Sequence, residues 1–152
     1  MKGKKQPINP SLTSGANVSF WINSVTPLQF GQLQQDVNTE ILVIGGGISG
    51  VTTAYLLAKA GKQVVLVEDG FIGSGETGRT TAHCTWALDD RYYDIEQIFG
   101  EEGSRLAAES HAEAINQIER NIQELHIDCN FKRVDGYLFL DPSDKLSNLQ
   151  KE

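Results

Sequence analysis

The sequence predicts an α/β fold, and three features carry that prediction. Ile41-Leu42-Val43-Ile44 is a continuous apolar run with β-branched residues, and it ends on Gly45-Gly46-Gly47. A stretch with helical periodicity follows. A second apolar run, Val64-Val65-Leu66-Val67, then closes on Glu68. Two apolar runs around one helix describe a parallel βαβ unit with a right-handed crossover, each strand buried on both faces.

Composition sets the outer bounds. With 152 residues the chain is long enough for one domain, and with 39% of them hydrophobic and 22% charged its composition is ordinary for a globular protein, not a disordered or collagen-like one. A net charge of −7 argues against nucleic acid and anionic membrane surfaces as partners, because both require basic surface. No apolar stretch is long enough to span a membrane. The basic start Met1-Lys2-Gly3-Lys4-Lys5 runs into Gln6-Pro7-Ile8-Asn9-Pro10 rather than an apolar core, so no secretion signal is expected. Cys84 and Cys129 form no CxxC pair or ligand cluster, which fits free thiols in a reducing, cytoplasmic setting.

In chain order, residues 1–39 are polar and proline-broken, an irregular arm whose apolar exception is Phe20-Trp21-Ile22. That triplet reads either as an anchor docking on a larger body or as part of a disordered tail. Residues 40–90 hold the βαβ unit and the loop after it. In the helix, Ile48, Val51, Tyr55 and Leu56 mark an apolar face filled in by Ala54, Leu57 and Ala58, and Gly61 stands where a left-handed turn ends it. Residues 69–86 form a long Gly/Ser/Thr-rich loop, and such ordered loops are commonly functional.

Residues 91–152 read as the start of a second, α+β domain. Residues 91–127 are helical with an interruption near Gly100 and Gly103, and Leu106, Ile115, Ile118, Ile122 and Leu125 form a face expected to pack on a sheet. Residues 131–140 have strand character, with Asp135-Gly136 as a hairpin turn or a bulge. Asp141-Pro142-Ser143-Asp144 begins a further helix carrying Leu146 and Leu149.

The chemistry lies in Gly45-Gly46-Gly47-Ile48-Ser49-Gly50, a GxGxxG placed between strand and helix. Gly45 permits the tight turn, Gly47 admits a pyrophosphate to the backbone, and Gly50 lets the helix approach the strand. The helix N-terminus presents amides and partial positive charge to phosphate. Glu68, roughly twenty positions past the glycines, is placed for ribose hydroxyls and against a 2′-phosphate. This makes an incomplete Rossmann-like unit for NAD or FAD, and the spacing does not choose between them. A Gly-rich strand–turn–helix that binds no nucleotide is the alternative. In the following loop, Thr77, Arg79, Thr80 and Thr81 are suitable donors, though such residues also serve as turn and cap chemistry.

From Phe20 to Leu140 the chain resembles the N-terminal part of FAD-dependent oxidoreductases of the D-amino-acid oxidase/glycine oxidase superfamily, most nearly the bacterial branch with a C-terminal Rieske iron–sulfur domain. Phe20-Trp21, the run from Ile41 to Gly50, Glu68, Asp135-Gly136-Tyr137 and above all Thr77-Gly78-Arg79-Thr80-Thr81-Ala82-His83 carry the resemblance. It implies FAD as cofactor and an amine or amino acid as substrate, oxidised at a C–N bond by hydride transfer to the flavin. It places Gly45, Gly47, Ile48, Ser49 and Gly50 on the pyrophosphate and Glu68 on the adenosine ribose. Thr77, Arg79, Thr80, Thr81 and Ala82 would pass beside the ribityl chain and flavin ring. Some relatives link FAD covalently through a loop histidine. His83 stands one place later relative to Gly78 than in that pattern, which disfavours the link here.

Enzymes of this superfamily are far longer. The sequence therefore reads as an N-terminal fragment, inactive alone, whose sheet and substrate domain another stretch of polypeptide completes. A 2Fe–2S cluster would belong to that missing part. No residue here is assigned as catalytic acid or base, and no metal site is expected.

Overall fold

The computed structural model describes residues 18–152 and divides the chain into two compact units, one through Ala82 and one from His83. The irregular arm expected over residues 1–39 falls, for residues 1–17, outside the described residues. The first unit contains α1 (Phe20–Ser24), β1 (Ile41–Ile44), α2 (Ile48–Lys59), β2 (Val64–Val67) and a 3-10 turn (Glu76–Arg79). The second contains α3 (Tyr92–Glu124) and α4 (Leu146–Leu149).

β1 and β2 pair in parallel, with Ile41 opposite Val64 and Ile44 opposite Val67. The ladder runs on at both ends: Ile41 N–H donates to the Gln63 carbonyl at 3.1 Å, and Gly45 N–H to the Val67 carbonyl at 2.8 Å. The crossover is α2. It ends as the sequence predicts: Gly61 has φ +81°, its N–H donates to Ala58, and Lys62 N–H reaches back to Leu57 at 3.0 Å. These paired bonds and the left-handed glycine make a Schellman cap.

Two expectations for this unit are corrected. The strands are not buried on both faces, since Leu42 is 54% and Ile44 80% exposed. Among the described residues, α2 is the only helix making substantial contact with the strands, and one helix covers one face. The inward side of α2 also differs from the periodic reading. Gly50, Ala54, Tyr55 and Leu57 are half-buried, whereas Ile48, Val51 and Leu56 are exposed. The small residues take the sheet side because they allow the closest approach.

α1 settles the choice for Phe20-Trp21-Ile22 in favour of an anchor. Ile22 is the deeply buried apolar side chain of the described residues, at 5% exposure. Ser19 caps α1, its Oγ accepting from Ile22 N–H at 3.2 Å.

In the second unit, α3 bends where the sequence places the interruption. Gly100 has φ +75° and ψ 169°, outside helical space. Ser104 Oγ spans the break with a 2.9 Å hydrogen bond to the Tyr92 carbonyl. Ile115, Ile118 and Ile122 are half-buried, but no sheet lies against them within this unit, whose described residues contain no strand. Residues 131–140 are accordingly not the strand the sequence predicts. They have no strand partner, and Val134, Tyr137 and Phe139 are 75% exposed or more. Strand propensity without a neighbour to complete the ladder leaves a chain irregular. Arg133 holds this segment's start, donating to Glu119 Oε2 and Asn116 Oδ1, both at 2.7 Å. α4 starts after Asp144, whose Oδ1 accepts from Lys145 N–H and from the Asn148 amide. No helix among the described residues is long and apolar enough to cross a membrane.

Two outcomes follow from this packing. With Leu42, Ile44, Ile48 and Phe139 exposed, the chain by itself is expected to bind a hydrophobic dye and to self-associate with rising concentration, as light scattering would read. A Cβ at Gly50 would lie 2.0 Å from the Gly45 carbonyl oxygen. Gly50→Ala should therefore destabilise the βαβ unit by about 1–3 kcal/mol, measured as a lower urea midpoint.

Candidate dinucleotide site

The site forms where both parallel strands end. Gly45 turns out of β1 with φ +104°, a conformation that strongly favours glycine. α2 starts immediately afterwards, with Gly47 as its N-cap and no side chain of its own to cap with. The first amides of a helix have no acceptor inside it. Here one acceptor arrives from the following loop, as Thr77 Oγ1 accepts from Ile48 N–H at 2.9 Å. A Cβ on Gly47 would approach the same Thr77 oxygen to 3.2 Å, so Gly47 keeps the turn and the loop close together.

Glu68, at the end of β2, closes the other side. Its Oε2 accepts from Gly46 N–H, while Oε1 accepts from Gly70 N–H at 3.1 Å and lies 3.5 Å from Ser74 Oγ. The Gly46 amide is the main reason its carboxyl is held below the ordinary 4.5. Partial desolvation opposes the shift, and the bonds from Gly70 and Ser74 add to it. The carboxylate is thus anionic and directed by three donors, with acceptor capacity remaining.

Of the residues the sequence singles out, Gly45, Gly47, Ile48, Gly50, Glu68 and Thr77 come together around the turn. Ser49 lies exposed on the first turn of α2. Arg79 ends the 3-10 turn, half-buried. Thr80, Thr81 and Ala82 are exposed beyond it, with Ala82 at φ +61° and its N–H donating to Thr80 Oγ1 at 3.2 Å. His83 is exposed.

The structure adds members the motif did not name. Gly73 N–H donates to the Gly46 carbonyl at 2.9 Å, and Ser74 is buried at 5% exposure beside Glu68. The glycine spacing of Gly70, Gly73 and Gly75 was the available signal: Gly73 adopts φ +81°, and a Cβ on Gly70 would stand 2.8 Å from Ser74 Oγ.

Two hollows flank the turn. One of about 260 Å³ is lined by Gly46, Gly47, Ile48, Val51, Ile72 and Thr77, among others. The other, about 490 Å³, lies over Ile44, Gly45, Val67, Glu68 and Asp69. That crevice beyond the carboxyl ends of the strands is where open α/β sheets take up nucleotides. The hollows place the N-terminus of α2 and the Thr77 hydroxyl on one side and the Glu68 carboxylate, an acceptor, on the other.

A family model described as FAD dependent oxidoreductase matches residues 40–152. The chain belongs to this family. Among curated relatives it is similar to a Bacillus subtilis (strain 168) protein, YhfW, provisionally named as a Rieske 2Fe-2S iron-sulfur protein, with 34% identity over 95% of the chain and 28% of that protein. It is similar to gamma-glutamylputrescine oxidoreductase of Escherichia coli (strain K12), with 30% identity over 81% of the chain and 29% of that protein. Glycine oxidase of Bacillus licheniformis shows 34% identity over 46% of the chain and 20% of its own length. The chain thus spans less than a third of the length of each of these relatives. No solved structure gave a significant match.

The electrostatics of Glu68 give a pH test. Its carboxyl is lowered from 4.5 in the fold, so its stabilisation is complete above that pH and is lost as pH falls through the lowered value. The urea midpoint should fall below about pH 4.5 in the wild-type chain. Glu68→Gln should be less stable at neutral pH by about 1–2 kcal/mol, and the gap should close on acidification.

Proposed function

We propose that this chain supplies the FAD-binding part of an oxidoreductase that oxidises a C–N bond of a small amine or amino acid. The observation that carries the reading is the glycine turn at the ends of two parallel strands, with the Glu68 carboxylate on the Gly46 amide and the Thr77 hydroxyl on the Ile48 amide. In this reading Gly45, Gly47, Ile48, Ser49 and Gly50 line the FAD pyrophosphate, which the amides and dipole of α2 favour. Glu68 accepts from the adenosine ribose with its remaining lone pairs. Thr77, Arg79, Thr80, Thr81 and Ala82 lie along the ribityl chain and flavin. Bound FAD would supply the hydride acceptor, while the protein positions and tunes it.

The names of the relatives support the substrate class, since one acts on gamma-glutamylputrescine and another on glycine. A 2Fe–2S centre, as the name of the Bacillus subtilis relative suggests, would have to be held outside this chain. Among the described residues no group of three His, Cys, Asp or Glu side chains could hold a metal, and Cys84 and Cys129 are both exposed. Activity would then need polypeptide beyond this chain to complete the sheet and the substrate site.

The test is a visible spectrum after reconstitution with FAD and desalting. Flavin bands should stay with the protein. Acid precipitation should release them, since His83 is not expected to form a covalent link. Glu68→Ala should weaken FAD by about tenfold, the loss of one charge-assisted hydrogen bond. Binding of NADH with no affinity for FAD would favour a nicotinamide domain. No nucleotide affinity, with Glu68→Ala unchanged, would favour a remnant that binds neither.

A further inference from the structure

The N-terminal segment ahead of the βαβ unit makes its contacts with the very loop that caps α2. Ile22 packs against Gly78: a Cβ there would lie 2.8 Å from Ile22 Cγ1 and 2.5 Å from the Gly73 carbonyl. Ser19 Oγ donates to the Gly78 carbonyl. The Trp21 indole N–H donates to the Thr80 carbonyl at 2.8 Å. The three anchors therefore bracket Arg79, two positions after the Thr77 whose hydroxyl accepts from Ile48 N–H.

We propose that Ser19, Trp21 and Ile22 are positioning residues of the dinucleotide site: they strap the 3-10 turn Glu76–Arg79 so that Thr77 stays on the α2 N-terminus, and through that contact they set cofactor affinity. The part concerning affinity rests on the FAD reading above, while the strap itself does not. The physical case is one of entropy. A loop rich in Gly, Ser and Thr has many conformations to lose, and a ligand that had to order it would bind more weakly by that cost. The strap removes the cost beforehand. It acts on the backbone carbonyls of Gly78 and Thr80, so it fixes the path of the loop's main chain. Gly78 is part of the device, because any side chain there would displace Ile22.

The test uses the full chain with Ile22→Ala, Ile22→Val and Trp21→Phe. The first readout is hydrogen exchange at the Ile48 amide against that at the Val43 amide within the sheet. The second is FAD affinity by flavin fluorescence quenching. Trp21→Phe should speed Ile48 exchange about three- to tenfold, as expected for one lost hydrogen bond. Ile22→Ala should speed it about thirtyfold, with Val43 unchanged in both and Ile22→Val near wild type. FAD affinity should fall in the same order. An Ile48 amide unprotected in the wild type, or unmoved in Trp21→Phe, overturns the strap. So does an equal rise at Val43, because that is general destabilisation. If exchange responds as expected and the wild type binds no FAD, the FAD reading fails and the strap stands. If FAD binds and no variant weakens it, the link between strap and affinity fails.

Discussion

The closeness of α2 to the end of β1 is the constraint on which the rest of the structure depends. Only hydrogen at Gly50 leaves room for the Gly45 carbonyl, since a Cβ would lie 2.0 Å from that oxygen. Because the helix starts so near the strand, the chain must reverse within Gly45–Gly47, and Gly45 takes a left-handed conformation to do so. The reversal leaves backbone amides pointing away from strand and helix alike. Buried or half-buried amides need partners, and the partners come from later in the chain: Glu68 for Gly46 and Thr77 for Ile48. The turn thus organises the strand end and the loop around itself.

The same arrangement explains why so small a unit holds a defined site while having little core. The site consists of backbone geometry and short polar contacts, which depend on local closeness more than on buried area. The apolar surfaces behave otherwise. Leu42 and Ile44 on one strand, Ile48 and Leu56 on α2, and Val134 and Phe139 beyond α3 stay exposed. A helix apolar on several sides suits a body with further layers, which agrees with a chain spanning less than a third of its family relatives.

Legibility in the sequence followed the range of the interaction. The βαβ unit, the Gly61 cap and the break near Gly100 each depend on residues adjacent in the chain, and each was readable from spacing and from glycine. The meaning of Phe20-Trp21-Ile22 was half readable. Three apolar residues in a polar arm announce an anchor, but nothing local says that Gly78 and Thr80 receive it. Residues 131–140 misled for the opposite reason. Their propensity is for strand, yet a strand exists only with a hydrogen-bonded neighbour, and propensity does not supply one.

The sequence by itself determined the parallel pair, the crossover helix, the glycine turn between them and the acidic residue after the second strand, because these follow from side-chain period and from where glycine alone fits. The tertiary structure decided which amides Glu68 and Thr77 satisfy, which side of α2 meets the sheet, and what lies over Gly78. Those choices are made between segments far apart in the chain. They depend on which groups arrive within hydrogen-bonding distance once the turn has formed, and no local pattern records that.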